Sequence, residues 1–260
     1  MHRSVDSARF SDWSPFLIKV EDISKIYKAG RGKTVVAVSG VTFRCNPGEV
    51  YGLLGPNGAG KTTTLRILST AIPPSSGGAF INGHDILRDP AAVRRSIGFL
   101  SSNTGLYLRL SPREVLTYFG RLFNVPAELI RSRTEELCDL FDMGEFMDRP
   151  CDKLSTGMRQ KVNICRSVIH APEVMIFDEP TAGLDVIASK SIVEFIRRCR
   201  TQGKTVLLST HIMSEVNKLC DRVGIIHKGR LLLDNTLAEF RSEHGDDIED
   251  AFLAVLEANQ

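Results

Sequence analysis

The chain has no Cys-x-x-Cys pair: its six cysteines, Cys45, Cys138, Cys151, Cys165, Cys199 and Cys220, are scattered over 260 residues. Cys165 and Cys220 lie within apolar helical patterns, so the set reads as small buried hydrophobes in a reducing compartment. An excess of either charge is also missing. The 33 Lys+Arg nearly cancel the 31 Asp+Glu, leaving a formal +2 that offers no electrostatic footprint for a nucleic acid or an acidic partner. No run approaches the ~18 apolar residues that a membrane span requires. The first residues, with Arg3, Asp6, Arg9 and Asp12, carry no apolar stretch of the kind a secretory signal needs. Internal repeats and low-complexity tracts are absent as well. A soluble, cytoplasmic protein is therefore expected, and its apolar fraction of 42% suffices for one large domain or two small ones without staples.

What the chain does have is alternation. After a polar, aperiodic stretch read as a flexible tail over 1–16, "FLIKVEDISKIYK" starts a strand near Phe16. "VVAVSGVTFRC" and "EVYGLLG" follow as strands, separated by the turn formers Asn46, Pro47 and Gly48. The second feeds "GPNGAGKTT" and then a helix over Lys61–Ile72 with Leu65, Leu68 and Ile72 on one face. From about Tyr107 to Cys151 the sequence reads as helical throughout. Ser111-Pro112-Arg113-Glu114 combines a capping box with proline at the first helical position, and Val115, Phe119, Leu122 and Phe123 form a stripe behind it. Strand and helix then alternate again: "EVMIFDEP", a helix about Ser189–Arg200, "TVLLSTH", a helix to about Cys220, and "RVGIIHKGRLLL". The end, "DDIEDAFLAVLEANQ", is expected to be an amphipathic helix with Phe252, Leu253 and Leu256 inward. A parallel α/β core interrupted by a helical insert fits this order.

The order strand, glycine loop, helix is the context that G-x-x-x-x-G-K-[ST] demands. Across Gly55, Pro56, Asn57, Gly58, Ala59 and Gly60 the glycines permit positive φ and keep side chains out of the way, so backbone N–H groups can turn toward a phosphate chain. The following helix, opening at Lys61-Thr62-Thr63, adds the positive end of its dipole. Lys61 is expected to reach the β- and γ-phosphates and Thr62 to ligate Mg²⁺. The apolar run Val174–Phe177 delivers Asp178 and Glu179 to the rim of the sheet, where open α/β folds bind ligands. Adjacent carboxylates point opposite ways and need separate tasks: Asp178 suits Mg²⁺, and Glu179 suits a hydrolytic water. His211 follows "TVLLST" to another strand end, in reach of a γ-phosphate or the attacking water. In "LSTGMRQKV", Leu154–Val162, Ser155-Thr156-Gly157 opens a second helix; taken alone it is an ordinary N-cap.

In this order the motifs resemble the ATP-binding cassette ATPases over about Leu17–Leu256. "LSTGMRQKV" is similar to the family's signature motif, usually Leu-Ser-Gly-Gly-Gln, with Thr156 and Met158 as departures. "FDEPTAGLD" matches its Walker B strand and D-loop, Ala182–Asp185, and "STH", Ser209–His211, matches its switch histidine. The resemblance implies an α/β fold: a RecA-like P-loop NTPase core with a parallel sheet, an antiparallel β-subdomain, and a helical subdomain at about 107–165 that carries the signature. The ATPase domain would cover 17–240 and a C-terminal helical extension 241–260. It further implies that Tyr27, in "SKIYK", lies against adenine and that Asp185 belongs with the nucleotide contacts. Two cassettes would pair head to tail, so that Ser155 and the Gly157 N–H of one complete the γ-phosphate shell of the other. Ser102 stands where the family has a glutamine that approaches Mg²⁺ and senses the transmembrane partner; serine is shorter, so a bridging water is expected instead. "SSNTGLY" and "LSTGM" are similar to bacterial ATP-binding subunits of the sodium-exporter type.

The expected function is therefore that of the ATP-hydrolysing subunit of a transporter, an exporter by this resemblance. It would bind ATP and Mg²⁺, form a homodimer, and drive a separate integral membrane permease from the inner face of the membrane. A cassette protein acting on DNA or ribosomes is the alternative, but such relatives carry long coiled coils or fused cassettes, and neither appears here. A P-loop kinase would leave "LSTGMRQKV" unexplained.

Overall fold

A computed structural model describes residues 16–28, 33–101 and 105–259. Ser102 and positions 1–15 of the expected tail lie outside the described residues.

Alternating apolar residues build an antiparallel sheet from β1 (Ile18–Lys28), β2 (Thr34–Cys45), β4 (Ser76–Ile81) and β5 (His84–Asp85), in the order β2-β1-β4-β5. Its inward side chains, among them Ile18, Val20, Ile23, Val41 and Phe43, are fully buried. The uniformly apolar β3 (Val50–Leu54), β7 (Val174–Asp178) and β8 (Thr205–Thr210) are instead buried on both faces, as parallel strands covered by helices must be. With β6 (Ile97–Leu100), β9 (Arg222–His227) and β10 (Arg230–Thr236) they form a six-stranded sheet ordered β10-β9-β3-β8-β7-β6. All its pairings are parallel except β9 with β10.

Alternate residues of these strands enter two separate cores. Leu53, Ile176 and Leu207 pack with the antiparallel sheet and α1 (Lys61–Leu68). Leu54, Phe177 and Leu208 pack on the other side with α5 (Thr156–Val168), α6 (Val186–Thr201) and α9 (Ile248–Glu257). Burial of one such side chain contributes about 1.5–3 kcal/mol, so the central sheet is the rigid base on which its loops stand. The remaining helices are α2 (Pro90–Ser96), α3 (Pro112–Leu122), α4 (Ala127–Leu140), α7 (Met213–Leu219) and α8 (Leu237–His244). All six cysteines are free, and burial pushes the Cys199 thiol up to about 12 and the Cys165 and Cys220 thiols well above their ordinary value. Five of them are buried small hydrophobes, as expected, whereas Cys138 is only half-buried.

The structure corrects several boundaries. α1 stops at Leu68 rather than Ile72, because Thr70 takes a left-handed φ of 60° and the Ala71 and Ile72 N–H groups both fold back onto the Arg66 carbonyl. The region 107–151 is not helical throughout. The capping box starts α3 as expected, with Ser111 and Glu114 bonding each other's backbone N–H, but left-handed Asn124 and Asp142 break the chain after α3 and after α4. The α3 stripe is rotated: Val115 and Leu116 are buried, whereas Leu122 is 62% exposed. α6 begins three residues before Ser189, since Asp185 caps it by accepting from the Ala188 N–H at 2.8 Å. In α9 the buried face is Ile248, Ala251, Phe252 and Val255, leaving Leu253 48% exposed. A division between residues 240 and 241 falls inside α8.

Candidate nucleotide site

The phosphate loop leaves β3 and is wedged against the rest of the sheet before it enters α1. Gly60, at φ 112°, has no room for a side chain, since a Cβ would lie 2.6 Å from the Ala37 carbonyl oxygen of β2. Gly60 also supplies no side-chain cap to α1, in contrast to Ser111, Ser155, Asp185, Thr236 and Asp247 at other helix starts. The first-turn N–H groups of α1 are thus left for an anion, reinforced by the dipole.

One connected network joins the loop to the strand ends. The Lys61 side chain is buried and its Nζ donates to the carbonyls of Gly55 at 2.6 Å and Pro56 at 3.2 Å. The same nitrogen lies 3.4 Å from Glu179 Oε1. The Thr62 hydroxyl donates to Asp178 Oδ1 at 3.0 Å. Parallel pairing of β7 with β8 sets Asp178 opposite Ser209. The Ser209 hydroxyl donates to Asp178 Oδ1 at 2.8 Å and accepts from the Glu179 N–H at 3.0 Å. His211 Nδ1 sits 3.3 Å from Glu179 Oε1.

The two carboxylates do divide. Asp178, at the last position of β7, is buried and faces two hydroxyls. Glu179 leaves the strand with φ 49°, a left-handed conformation that costs on the order of 1–2 kcal/mol in a residue other than glycine. That turn swings its carboxylate toward the two nitrogens, and its side chain stays 22% exposed to the solvent that supplies water.

Tyr27 stands apart from this network but near its edge. It pairs with Val35 in the β1–β2 ladder, is 39% exposed, and has Lys25 Nζ 5.4 Å from its ring centre. Its cross-strand partner Val35 is exposed on the same face, and the two form a small apolar patch, while exposed Ile26 and Val36 share the opposite face. Along β2 this patch lies two residues from Ala37, whose carbonyl oxygen crowds Gly60.

Ser155 and Gly157 are not brought to the phosphate loop of their own chain. Ser155 caps α5 by accepting from the Met158 N–H at 3.2 Å, and Gly157 packs against Ala188 beside Asp185. Gln160 Nε2 ties the helix to the Pro180 carbonyl at 2.7 Å. Among the described residues no hydrogen bond or ion pair links turn 155–157 to loop 55–63. Ser209 is the residue sequence reasoning missed as a member of the site. Its signal was its position two residues before His211, opposite the acidic pair once the strands are aligned.

Together the sheet order, the glycine loop opening α1 and the carboxylates at the end of β7 define a P-loop NTPase. A family model described as ABC transporter matches residues 38–182. The ABC transporter ATP-binding protein NatA of Bacillus subtilis (strain 168) is 41% identical over 242 residues, 92% of this chain and 98% of that protein. The daunorubicin/doxorubicin resistance ATP-binding protein DrrA of Streptomyces peucetius is 36% identical over 231 residues, 89% of this chain and 68% of that protein. Among solved structures, an ATP-binding subunit of an ABC transporter superposes with a TM-score of 0.84 at 29% identity, covering 92% of this chain and 99% of its own. A dimeric ATP-binding cassette in a post-hydrolysis state with ADP and Pi gives 0.77 at 25% identity, covering 85% and 98%.

The chain belongs to the ABC transporter family, as an ATP-binding and ATP-hydrolysing subunit that powers a separate permease. Such subunits act as dimers. Action on DNA or ribosomes is not favoured by these relatives.

Proposed function

We propose that this subunit works as a homodimer of head-to-tail cassettes on the inner face of the membrane, driving an exporter. Each site hydrolyses ATP between loop 55–63 of one copy and turn 155–157 of the other. The observation that carries the reading is Glu179 Oε1 held between Lys61 and His211 while Asp178 is tied to Thr62 and Ser209.

Lys61 and the loop N–H groups bind the phosphate chain, and Tyr27 with its apolar patch receives the adenine. Thr62 and Asp178, two oxygen donors 3.0 Å apart, fit a hard divalent cation and would hold Mg²⁺, which neutralises phosphate charge when bound. Glu179 accepts the proton of the attacking water, and His211, which lies against the same carboxylate oxygen as Lys61, orients it. Ser155 caps α5 in the free subunit, and with the Gly157 N–H it offers the same helix start to the γ-phosphate held by a second copy. Asp185, capping α6 beside Gly157, keeps that turn in shape. Ser102 takes the place of the family's glutamine through a bridging water. The ATPase domain is assigned to 17–240, its helical subdomain to about 107–165 and the C-terminal extension to 241–260.

The permease is assigned to a groove between the helical region and the core. Two adjoining cavities of about 250 and 330 Å³ share Phe123 and His170. Arg94, Arg95, Arg133 and Arg166 line them and, among the described residues, no acidic side chain does, which suits an acidic segment. Arg166 also donates to the Gly105 carbonyl at 2.9 Å. Export agrees with relatives named for antibiotic resistance. Among the described residues no helix is long and apolar enough to cross a membrane. Affinity purification from detergent-solubilised membranes tests the assignment: a multi-span protein without a cassette should copurify, and its absence from every preparation would count against a permease partner.

A further inference from the structure

The β9–β10 hairpin touches the phosphate loop in a way the glycine motif does not account for. His227 pairs with Arg230, so Lys228 and Gly229 are the two central residues of the turn, and both have positive φ, 46° and 80°. This is the tight turn whose twist matches a hairpin. It is wedged between two elements of the nucleotide site. The Gly229 N–H donates to the Ala59 carbonyl of the phosphate loop at 2.9 Å, and the Gly229 carbonyl accepts from the Ser39 N–H of β2 at 2.8 Å. No space remains there: a Cβ on Gly229 would lie 3.0 Å from the Ala37 carbonyl oxygen and 3.2 Å from Val38 Cα.

In a trans peptide the carbonyl and the following N–H point in opposite directions. With the Ala59 carbonyl drawn to the hairpin, the Gly60 N–H of the same peptide is turned away from it, toward the ligand side of the loop. We infer that Gly229 is a positioning residue for ATP: its N–H fixes the peptide plane that presents the Gly60 N–H to the phosphates, and its carbonyl ties that plane to the strand bearing the base-side patch. The inference rests on the nucleotide reading above. It adds a third element to the cradle, distant in the chain from both the loop and the carboxylates.

The test is equilibrium binding of ATP and of inorganic tripolyphosphate to the full chain, with thermal unfolding measured alongside. Gly229→Ala should weaken both ligands by about tenfold, the scale of one hydrogen bond to a charged group. KM for ATP should rise by the same factor while kcat at saturation stays within about threefold. Lys228→Gly relieves the left-handed strain without adding a Cβ and should bind both ligands as the wild type does. Should Gly229→Ala fail to fold, an amide-to-ester analogue at 229, which deletes the N–H and adds no bulk, is expected to show the same loss. A folded Gly229 variant that binds tripolyphosphate as tightly as a binding-competent wild type overturns the inference alone. A wild type that binds neither ligand overturns the nucleotide reading and the inference with it.

Discussion

Glu179→Gln replaces one carboxylate oxygen by an amide nitrogen and leaves the shape of the side chain unchanged, so it separates the charge of Glu179 from its packing. The backbone turn should survive, because the Glu179 N–H is held by Ser209 through both its hydroxyl at 3.0 Å and its carbonyl at 3.2 Å, neither of which involves the Glu179 side chain. Lys61 loses an ion pair at 3.4 Å but keeps the Gly55 and Pro56 carbonyls. With Glu179 partly exposed, that pair contributes no more than about 1 kcal/mol, so affinity for ATP should change by less than about fivefold. Turnover responds differently, because a neutral amide does not take a proton from water. Loss of a general base costs roughly 10²–10⁴-fold, equivalent to about 2.7–5.4 kcal/mol added to the barrier. Phosphate release at saturating ATP should fall at least a hundredfold while binding of a fluorescent ATP analogue is retained, and the ATP-loaded dimer should accumulate in sedimentation velocity. A kcat within threefold of wild type would show that another group takes the proton.

Ser209→Ala removes the hydroxyl donor to buried Asp178 and should destabilise the fold by about 1.5–3 kcal/mol, lowering Tm by roughly 3–12 °C; an unchanged melting curve would mean that this hydrogen bond contributes nothing. Ser155→Arg should leave ATP binding by the monomer intact and abolish the dimer in a Glu179→Gln background, and a double variant that still dimerises would refute the shared site. His170 provides a pH prediction. Its ring stacks on Phe123 at 3.8 Å, its Nε2 is bonded to the Ile97 carbonyl, and its buried Nδ1 has no partner among the described residues, so burial holds its pKa at about 4. The folded state therefore binds fewer protons than the unfolded chain, whose histidine titrates near 6.5. The stabilisation is complete above pH 6.5 and is lost as pH falls toward 4, by up to about 3 kcal/mol. His170→Gln should flatten that part of the acid dependence of the urea midpoint; equal slopes for both proteins would disprove it.

Features carried by neighbours in the chain were legible in advance. The phosphate loop needs glycines, a lysine and a hydroxyl within nine positions, and its strand and helix flank it directly, so Gly55–Thr63 could be read as a unit. The α3 start was legible for the same reason, since a capping box is a bond between residues three apart. Errors clustered where the determinant was remote or a left-handed residue intervened. Thr70, Asn124 and Asp142 ended helices that apolar spacing alone would have continued, and packing against the core left Leu122 and Leu253 outside stripes to which their spacing assigned them.

The assembly of the site belongs to the other category. Lys61, Asp178, Ser209 and His211 are spread over 150 positions, and only the order β3-β8-β7 with the pairing of Asp178 and Ser209 brings their side chains together. The same holds for Gly229, whose contact with Ala59 depends on β9 lying beside β3. Local spacing acts through the period of a helix or strand and so is written in neighbouring letters. Register between strands is set by which faces of the whole sheet are buried, and that is a property of the folded chain.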